Sequence, residues 1–256
     1  VAAILWVMAG MGPAWWLYAW LVWMAFNLMV LAIFPTWIAP LFNKFTPLQD
    51  ESLRARIEGL MKRVGFASKG LFVMDGSRRS AHGNAYFSGF GAAKRIVFFD
   101  TLLSRLAPNE IEAVLAHELG HFKLHHVIKR IAVMFALSLV FLALLGFLKT
   151  QMWFYQGLGV TPMMDASNDA MALILFMFAL PVFTFLFSPV LSISSRKNEF
   201  EADAFAAKHS NSQDLISALV KLYEDNASTL TPDPLHSAFY DSHPPASIRV
   251  EKLLTA

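Results

Sequence analysis

The sequence contains no cysteine, and this absence excludes two kinds of structure. Without cysteine the chain has no disulfide bond and no thiolate ligand for a metal ion. Charged residues are also scarce, at 16% of the chain against about 25% in typical soluble domains. The net charge of +2 is too small to indicate a nucleic-acid partner. The shortage of charge instead indicates a membrane protein, with the lipid bilayer as its first expected partner.

Three long segments lack Asp, Glu, Lys and Arg, at residues 1–43, 131–148 and 170–195. The first contains "PAWWLYAWLVWMAFNLMVLAIFP", and about 20 apolar residues are enough for a helix to cross the hydrocarbon core of a bilayer. Pro181 and Pro189 interrupt the third segment, but neighbouring helices can satisfy the carbonyls that proline leaves free. Buried helices of a soluble core are the alternative, although uncharged runs of this length are rare there. We therefore expect membrane spans in all three segments.

The basic residues predict the orientation of the protein. Residues 44–130 contain fourteen Lys and Arg, residues 196–256 contain six, and residues 150–169 contain none. By the positive-inside rule, both basic blocks lie in the cytoplasm and the loop 149–169 lies outside. We expect a multi-pass integral membrane protein, in the inner membrane if it is bacterial.

The two polar blocks combine helices with a small β-element. Amphipathic or helix-favouring patterns cover residues 48–64, 196–210 and 214–226. "GLFVMDGS" at 70–77 is typical of a strand closed by a turn, and "HGNAYFSGFGAAKRIVFFD" at 82–100 predicts two strands joined around Gly89 and Gly91. The expected fold class is therefore mainly α, a multi-pass helical membrane protein with a small β-element.

The sequence "HELGH" at residues 117–121 is the H-E-x-x-H motif of zinc hydrolases. Positions i and i+4 of a helix lie on one face, so His117 and His121 can bind the same ion. Glu118 lies beside the first ligand and is the candidate general base. Pro108 in the first turn and the apolar positions of "EAVLAHELGH" favour a zincin-like helix. The alternative is an exposed helix with two ordinary histidines.

His125 is also four residues beyond a ligand, but helix geometry argues against it as the third ligand. It follows His117 by eight residues, which is about 12 Å along the axis at about 1.5 Å per residue. One ion cannot take ligands from three successive turns of a straight helix. We expect His125 and His126 to lie at the membrane interface or to support the ligands from behind.

The acidic sequence "NEFEAD" at residues 198–203 offers the best third ligand. Glu199 and Asp203 are at i and i+4 and share a face, whereas Glu201 points roughly 200° away from Glu199. We assign Glu199 as the third ligand and Asp203 as the carboxylate that holds the N–H of a ligating histidine. The alternative is that these acidic residues simply begin a solvated helix.

Four motifs in this order, "HGNAYFSGF", "HELGHFKLHH", "NEFEADAFA" and "SHPPASIR", resemble the integral-membrane zinc metalloproteases of the CAAX prenyl protease type I family. The related HtpX heat-shock proteases share the metal motifs, but "HGNAYFSGF" and "SHPP" favour the CAAX branch. The resemblance implies one Zn²⁺ ion per chain and catalytic blocks at 44–130 and 196–256. It also implies that this chain is the C-terminal part of a longer protein whose helices wall a water-filled chamber.

The resemblance also implies roles for residues outside the metal motifs. Asn84, Ala85, Tyr86 and Phe87 are expected to form an exposed strand edge that pairs with an extended peptide substrate. His243 and Arg249 resemble the family's histidine and arginine near the metal. We expect His243 to act catalytically as a donor to the oxyanion, and Arg249 to bind a main-chain carbonyl of the substrate or to brace Glu199.

We expect the protein to be a membrane-embedded zinc metalloendopeptidase. The resemblance implies the substrate class, because members of the family trim the C-terminal tripeptide of prenylated CAAX proteins. The expected partner is a peptide or protein substrate that is lipid-modified or membrane-bound. Two alternatives stay open: an HtpX-like protease that clears damaged membrane proteins, and a non-catalytic scaffold stabilised by zinc. Glu118 distinguishes the scaffold from the enzymes, since a purely structural zinc site needs no base beside its ligand.

Overall fold

Helices form most of the structure, a computed structural model that describes residues 1–88, 94–164, 166–225 and 232–255. The mainly α-helical fold class predicted from the sequence is confirmed. Within the described residues the helices are α1 (Ala2–Gly10), α2 (Trp15–Ile33), α3 (Ala39–Phe42), α4 (Glu51–Arg63), α5 (Asp100–Arg105), α6 (Pro108–Lys123), α7 (His126–Leu148), α8 (Met152–Gly157), α9 (Asp169–Phe185), α10 (Ser188–His209), α11 (Ser212–Asp225), α12 (Pro234–Tyr240) and α13 (Ala246–Leu254).

The described part of the chain also contains one small sheet, formed by β1 (Phe45–Pro47), β2 (Leu71–Met74), β3 (Ala85–Ser88) and β4 (Arg95–Phe99). Its order is β1-β2-β4-β3, with β2 and β4 parallel and the other two pairs antiparallel. β3 and β4 are the two strands predicted around Gly89 and Gly91, and the connection at residues 89–93 lies outside the described residues. The sequence did not predict β1, which is only three residues long and ends at a proline.

One compact unit comprises Val1–Leu31 and Ile128–Ser188. The Trp20 Nε1–H donates to the carbonyl oxygen of Phe135 at 2.9 Å and ties α2 to α7. Gly146 lies against Trp16, where an added Cβ would be 2.9 Å from the indole Cδ1. Many large apolar side chains of this unit are exposed, as expected for helices that face lipid.

Two helical stretches in the described residues, Gly12–Phe42 and His126–Leu148, are long and apolar enough to cross a membrane. The first passes through a π-helical turn at Phe34–Ile38, which contains Pro35. Proline removes a backbone donor and clashes with the preceding turn, so a wider turn at this position relieves the clash.

The third predicted span differs from a single straight helix. α9 ends at Phe185 and α10 begins at Ser188, so the apolar segment is divided between two helices. The sequence placed a new helix at residues 196–210, whereas α10 starts earlier and runs without a break from apolar residues into the acidic "NEFEAD". The predicted loop 149–169 also contains a short helix, α8. The acidic residues are therefore held by the same helix that leaves the apolar segment.

A second compact unit comprises Ala32–Val127 and Pro189–Ala256. α6 lies in its core and begins at Pro108, where the Glu110 carboxylate accepts the Ala107 N–H at 2.7 Å. Its buried stripe packs with the sheet, α4, α11 and α13. The fully buried side chains of that stripe recur at helical spacing and are Ile111, Leu115 and Leu119. The opposite face of α6 is thereby left for the motif histidines.

Candidate metal centre

Three side chains from two helices of the second unit converge at one point. His117 and His121 lie on the same face of α6, and Glu199 lies on α10. The two histidine Nε2 atoms are 3.2 Å apart. The Glu199 carboxylate lies 3.6 Å from His117 Nε2 and 3.4 Å from His121 Nε2. The structure thus brings together the three residues that the sequence predicted as metal ligands.

The donor set fits a zinc ion. Ligand atoms at about 2.0–2.1 Å around tetrahedral zinc are separated by about 3.3 Å, close to the distances between these three side chains. Two imidazole nitrogens and one carboxylate also form the usual protein share of a catalytic zinc site. Burial opposes positive charge on His117, but the carboxylates of Asp203 and Glu199 outweigh burial and raise its pKa to about 9. The pocket therefore favours a cation.

A glycine in the motif allows the two helices to approach. Gly120 lies one residue before His121, and a Cβ added to it would be 3.0 Å from the Ala202 Cα and 3.2 Å from the Ala202 carbonyl oxygen. The backbones of α6 and α10 are therefore in contact beside the ligands. Ala202 lies between Glu199 and Asp203 along α10, so this contact fixes the distance from both carboxylates to the histidines.

The buried carboxylate of Asp203 contacts Nδ1 of His117. The His117 Nδ1 and Asp203 Oδ1 atoms are 2.8 Å apart, which leaves Nε2 facing Glu199 and His121. Arg249 donates from Nε to Asp203 Oδ2 at 2.8 Å and from Nη2 to Oδ1 at 2.6 Å. Burial alone would lower the pKa of Arg249, but these bonds to Asp203 raise it and keep the guanidinium charged. The predicted partner of a ligating histidine is thus in contact with His117.

Arg249 is 5% exposed, and its guanidinium is directed at two carboxylates. Besides its bonds to Asp203, its Nη1 lies 3.7 Å from Glu199 Oε2. Of the two roles considered for Arg249, this placement favours bracing the ligands over direct contact with a peptide. The sequence could not decide between them, because the phase of α13 relative to α10 depends on how the two helices pack.

His121 is supported through a different set of side chains. Its Nδ1 lies 3.0 Å from the Nδ1 of His126, whose Nε2 lies 3.0 Å from Glu201 Oε2. His126 is 4% exposed, whereas His125 is exposed. The sequence suggested a supporting or interfacial role for both histidines, and the structure separates them. The contact between His126 and Glu201 was not predicted from the sequence.

Glu118 lies on α6 directly beside the first ligand and is half-buried. Burial raises the pKa of its carboxyl group, and the nearby Glu199 acts in the same direction. His117, His121 and His243 are close enough to oppose that shift electrostatically. A carboxylate with a raised pKa beside a metal site is suited to exchange protons near neutral pH.

His243 reaches the site from the segment before α13. Its Nε2 lies 3.5 Å from Glu199 Oε1, yet its side chain is 62% exposed. The next residue, Pro244, is fully buried, and its carbonyl oxygen accepts the Tyr223 O–H at 3.1 Å. His243 is therefore an accessible imidazole on an anchored backbone. Tyr223 is a residue of this site that sequence patterns did not single out.

The predicted peptide-binding stretch lies at the edge of the sheet. Ala85, Tyr86 and Phe87 belong to β3, whereas Asn84 precedes the strand and its carbonyl oxygen accepts the Phe99 N–H. The Phe87 ring lies 6.2 Å from the Phe122 ring, centroid to centroid, and Phe122 follows His121 on α6. The edge strand thus lies beside the helix that carries the candidate ligands His117 and His121.

Comparisons with known proteins agree with this geometry. Residues 47–256 match the family model described as peptidase family M48, and residues 1–44 match the model described as the CAAX prenyl protease N-terminal region with five membrane helices. The chain is 42% identical over 254 residues to the CAAX prenyl protease 1 homolog of Arabidopsis thaliana, covering 99% of this chain and 59% of that protein. It is 36% identical to CAAX prenyl protease 1 of Saccharomyces cerevisiae, covering 89% of this chain and 53% of that protein.

A solved structure is similar as well. The crystal structure of S. mikatae Ste24p matches with a TM-score of 0.89 and 34% sequence identity, over 98% of this chain and 61% of that one. The chain thus spans about three fifths of the length of the first relatives it matches. Because the M48 model covers residues 47–256, well over half of the sequence, this multi-pass integral membrane protein belongs to peptidase family M48.

Proposed function

We propose that the protein is a zinc metalloendopeptidase that cleaves prenylated CAAX proteins within the membrane. The main support for the proposal is the convergence of three candidate ligand atoms, two from α6 and one from α10. Glu118 lies on α6 beside the two histidines. His117, His121 and Glu199 hold the metal, and Glu118 is a base with direct access to it. A structural zinc site uses four protein ligands, whereas three protein ligands with an acidic neighbour are typical of hydrolases.

The reaction is hydrolysis of a peptide bond. A bound zinc ion supplies Lewis acidity, which polarises the scissile carbonyl and makes water more acidic. Glu118 takes one proton from the attacking water, and the water oxygen forms a bond to the carbonyl carbon. As the C–N bond breaks, Glu118 delivers that proton to the leaving amine nitrogen. The second proton of the water passes from the new carboxyl group to the amine, so the products are a carboxylate and an ammonium group.

Two other elements serve the substrate in this proposal. His243 donates a hydrogen bond to the negative oxygen that develops on the scissile carbonyl, because its exposed imidazole lies beside Glu199. The residues Asn84 to Phe87 at the edge of the sheet hold the peptide in an extended conformation by main-chain hydrogen bonds. Arg249 and Asp203 keep the ligand histidine in place and do not contact the peptide.

The membrane location supports a lipid-anchored substrate. The same chain carries apolar helices long enough to span a bilayer and a site that requires water. Polar groups at membrane depth must line a cavity or find partners, so a hydrated chamber is the setting in which both features are compatible. The relatives are named for CAAX prenyl proteolysis, and a prenyl group anchors its protein to the bilayer. We place the two basic blocks on the cytoplasmic side.

The test compares two peptides of one sequence that end in a CAAX motif, one farnesylated on its cysteine and one unmodified. The purified protein in lipid nanodiscs with zinc is expected to cleave the farnesylated peptide preferentially, and Glu118→Gln is expected to abolish cleavage. Glu58→Gln is the matched control, because Glu58 is exposed on α4. Equal cleavage of unmodified peptides and unfolded membrane proteins would favour a quality-control protease. Bound zinc without cleavage of any substrate would favour a scaffold.

A further inference from the structure

The two histidine ligands are supported in different ways. His117 contacts a carboxylate directly, since its Nδ1 is 2.8 Å from Asp203. His121 instead contacts a third histidine, His126, which in turn contacts Glu201 at 3.0 Å. The His121 and His126 rings are 5.1 Å apart between centroids at 73° and are not stacked, so the nitrogen-to-nitrogen contact defines their relationship.

The contacts determine where each proton lies when a metal is bound. A metal at His121 Nε2 requires the lone pair of that atom, so the proton of His121 is on Nδ1. That N–H then donates to His126 Nδ1, which must be unprotonated in order to accept. The His126 proton is consequently on Nε2, where it donates to the carboxylate of Glu201. Every donor in this series therefore has an acceptor.

We propose that His126 and Glu201 form a positioning relay that fixes the ring orientation and tautomer of His121 and so raises zinc affinity. The inference rests on the proposed zinc site and deepens it. Ligating histidines usually pass their second N–H directly to a carboxylate, carbonyl or water. Here a histidine stands between the ligand and the carboxylate. Neither residue of the relay belongs to the candidate ligand set of His117, His121 and Glu199.

The local structure places His126 for this role. α6 ends at Lys123, and His125 adopts φ 59°, in the left-handed region. This turn ends one helix and begins α7 at His126, which directs the buried His126 side chain back to His121. His125 is exposed, and among the described residues its side chain forms no hydrogen bond or ion pair with the candidate ligands. The pair thus offers a matched comparison of neighbouring histidines.

α10 supplies the carboxylate that ends each hydrogen-bond series, Asp203 for His117 and Glu201 for His121 through His126. Glu199 and Asp203 share one face of that helix, and Glu201, on another face, reaches His126. The Glu201 side chain is 39% exposed, and Lys197 Nζ lies 3.8 Å from its other oxygen. Because the charge of Glu201 is partly screened by solvent, the hydrogen bond that it accepts matters more than its charge. An amide at this position therefore preserves most of the relay.

The experiment measures zinc dissociation constants of the full chain by competition with a chelator. His126→Phe, which keeps the ring and removes both nitrogens, is expected to weaken zinc binding about 10–100-fold. Glu201→Ala is expected to weaken it by a smaller factor, and Glu201→Gln to restore most of the affinity because its amide oxygen still accepts the His126 N–H. His125→Asn is the control and is expected to bind zinc normally, since asparagine tolerates the left-handed region.

A purely structural role of His126 and Glu201 would change the melting temperature of the zinc-free protein. If His126 and Glu201 only stabilised the fold, their variants would lower the melting temperature of the zinc-free protein, and Glu201→Gln would give no selective rescue of affinity. Wild-type zinc affinity in both His126→Phe and Glu201→Ala would overturn the relay. Failure of the proposed function has separate signatures. A zinc-binding scaffold would show the expected changes in zinc affinity without cleaving any substrate. A protein without this zinc site would bind no zinc, or would not lose it in a His117→Ala, His121→Ala double variant.

Discussion

The backbone of Gly120 lies against the backbone of Ala202, so that α6 and α10 meet at a glycine inside the metal-binding motif. A Cβ at Gly120 would be 3.0 Å from the Ala202 Cα, and backbone atoms cannot move aside as a flexible side chain can. Gly120→Ala should therefore push α10 away and displace Glu199 from the histidines. We expect a loss of stability of about 1–3 kcal/mol from this overpacking, together with weaker zinc binding.

The control for this substitution is another helical glycine. Gly59 lies on α4, and the nearest atom to an added Cβ is the side-chain Arg63 Nη1 at 3.7 Å. Because alanine is the better helix former, Gly59→Ala should stabilise the protein by about 0.5–1 kcal/mol. Thermal unfolding and zinc titration of both variants check the prediction. Normal zinc affinity in Gly120→Ala would show that the helix contact does not set the ligand distance.

Glu199 is predicted to be the ligand that α10 supplies. Its carboxylate lies 3.6 Å from His117 Nε2 and 3.4 Å from His121 Nε2. Glu199→Ala should therefore lose zinc on dialysis against a mild chelator while the wild type retains one ion per chain. Glu224→Ala is a suitable control, since Glu224 is exposed on α11. Elemental analysis of the purified variants gives the answer. Stoichiometric zinc in Glu199→Ala would require a different third ligand.

Helical periodicity alone was enough to group the candidate ligands. His117 with His121 and Glu199 with Asp203 are each four residues apart, and any straight helix places such pairs on one face. The sequence motifs also gave the correct element type for α6, including its start at Pro108. The helix bounds and the shared faces agree with the structure because they depend on positions within one helix, whereas the roles of these residues as ligands stay predictions.

Features that depend on packing between helices could not be predicted in the same way. If α6 continued past Lys123, His126 would follow His121 by five residues and point to another side of the helix. The left-handed turn at His125 returns it to the site, and no periodicity predicts that turn. The break after Phe185, which divides the third apolar segment between α9 and α10, is a similar case, because composition does not encode where it falls.

Glu110 predicts a pH dependence of stability. Burial favours its neutral form, but bonds from Lys221, Ser217 and the Ala107 N–H outweigh burial and lower the pKa of Glu110 below its ordinary 4.5. A carboxyl with a lowered folded-state pKa stabilises the protein fully above 4.5, and the contribution is lost as pH falls through the folded-state pKa. Thermal unfolding between neutral and acidic pH should show this loss in the wild type.

The Glu110→Gln variant isolates that contribution. The amide cannot ionise, so the variant should be less stable than the wild type at neutral pH, by about 1–3 kcal/mol, and the difference should shrink in acid. Ser217 and Lys221 lie on α11, so the loss reflects the attachment of α11 to the start of α6. A constant difference across the whole pH range would mean that the charge of Glu110 contributes nothing.

The predicted orientation can be tested by cysteine labelling, because the native chain has no cysteine to interfere. Gln213→Cys places an exposed thiol on α11 in the basic block 196–256, and Met164→Cys places one in the segment 149–169. An impermeant maleimide added to intact cells should label only Met164→Cys, and Gln213→Cys should react after permeabilisation. External labelling of Gln213→Cys would reverse the topology.

His243 is predicted to serve the substrate and not the metal. Its Nε2 lies 3.5 Å from the Glu199 carboxylate, but two histidines and Glu199 already fill the protein share of a catalytic site, and a fourth ligand would occupy the position that water needs. As an exposed side chain on a backbone anchored by buried Pro244, His243 can donate to the oxyanion without supporting the fold. His243→Ala should therefore lower kcat by about 10²–10³ while zinc content and melting temperature stay unchanged. Rate measurements on a CAAX peptide and metal analysis of the same preparation provide the check, and loss of zinc from His243→Ala would identify His243 as a ligand instead.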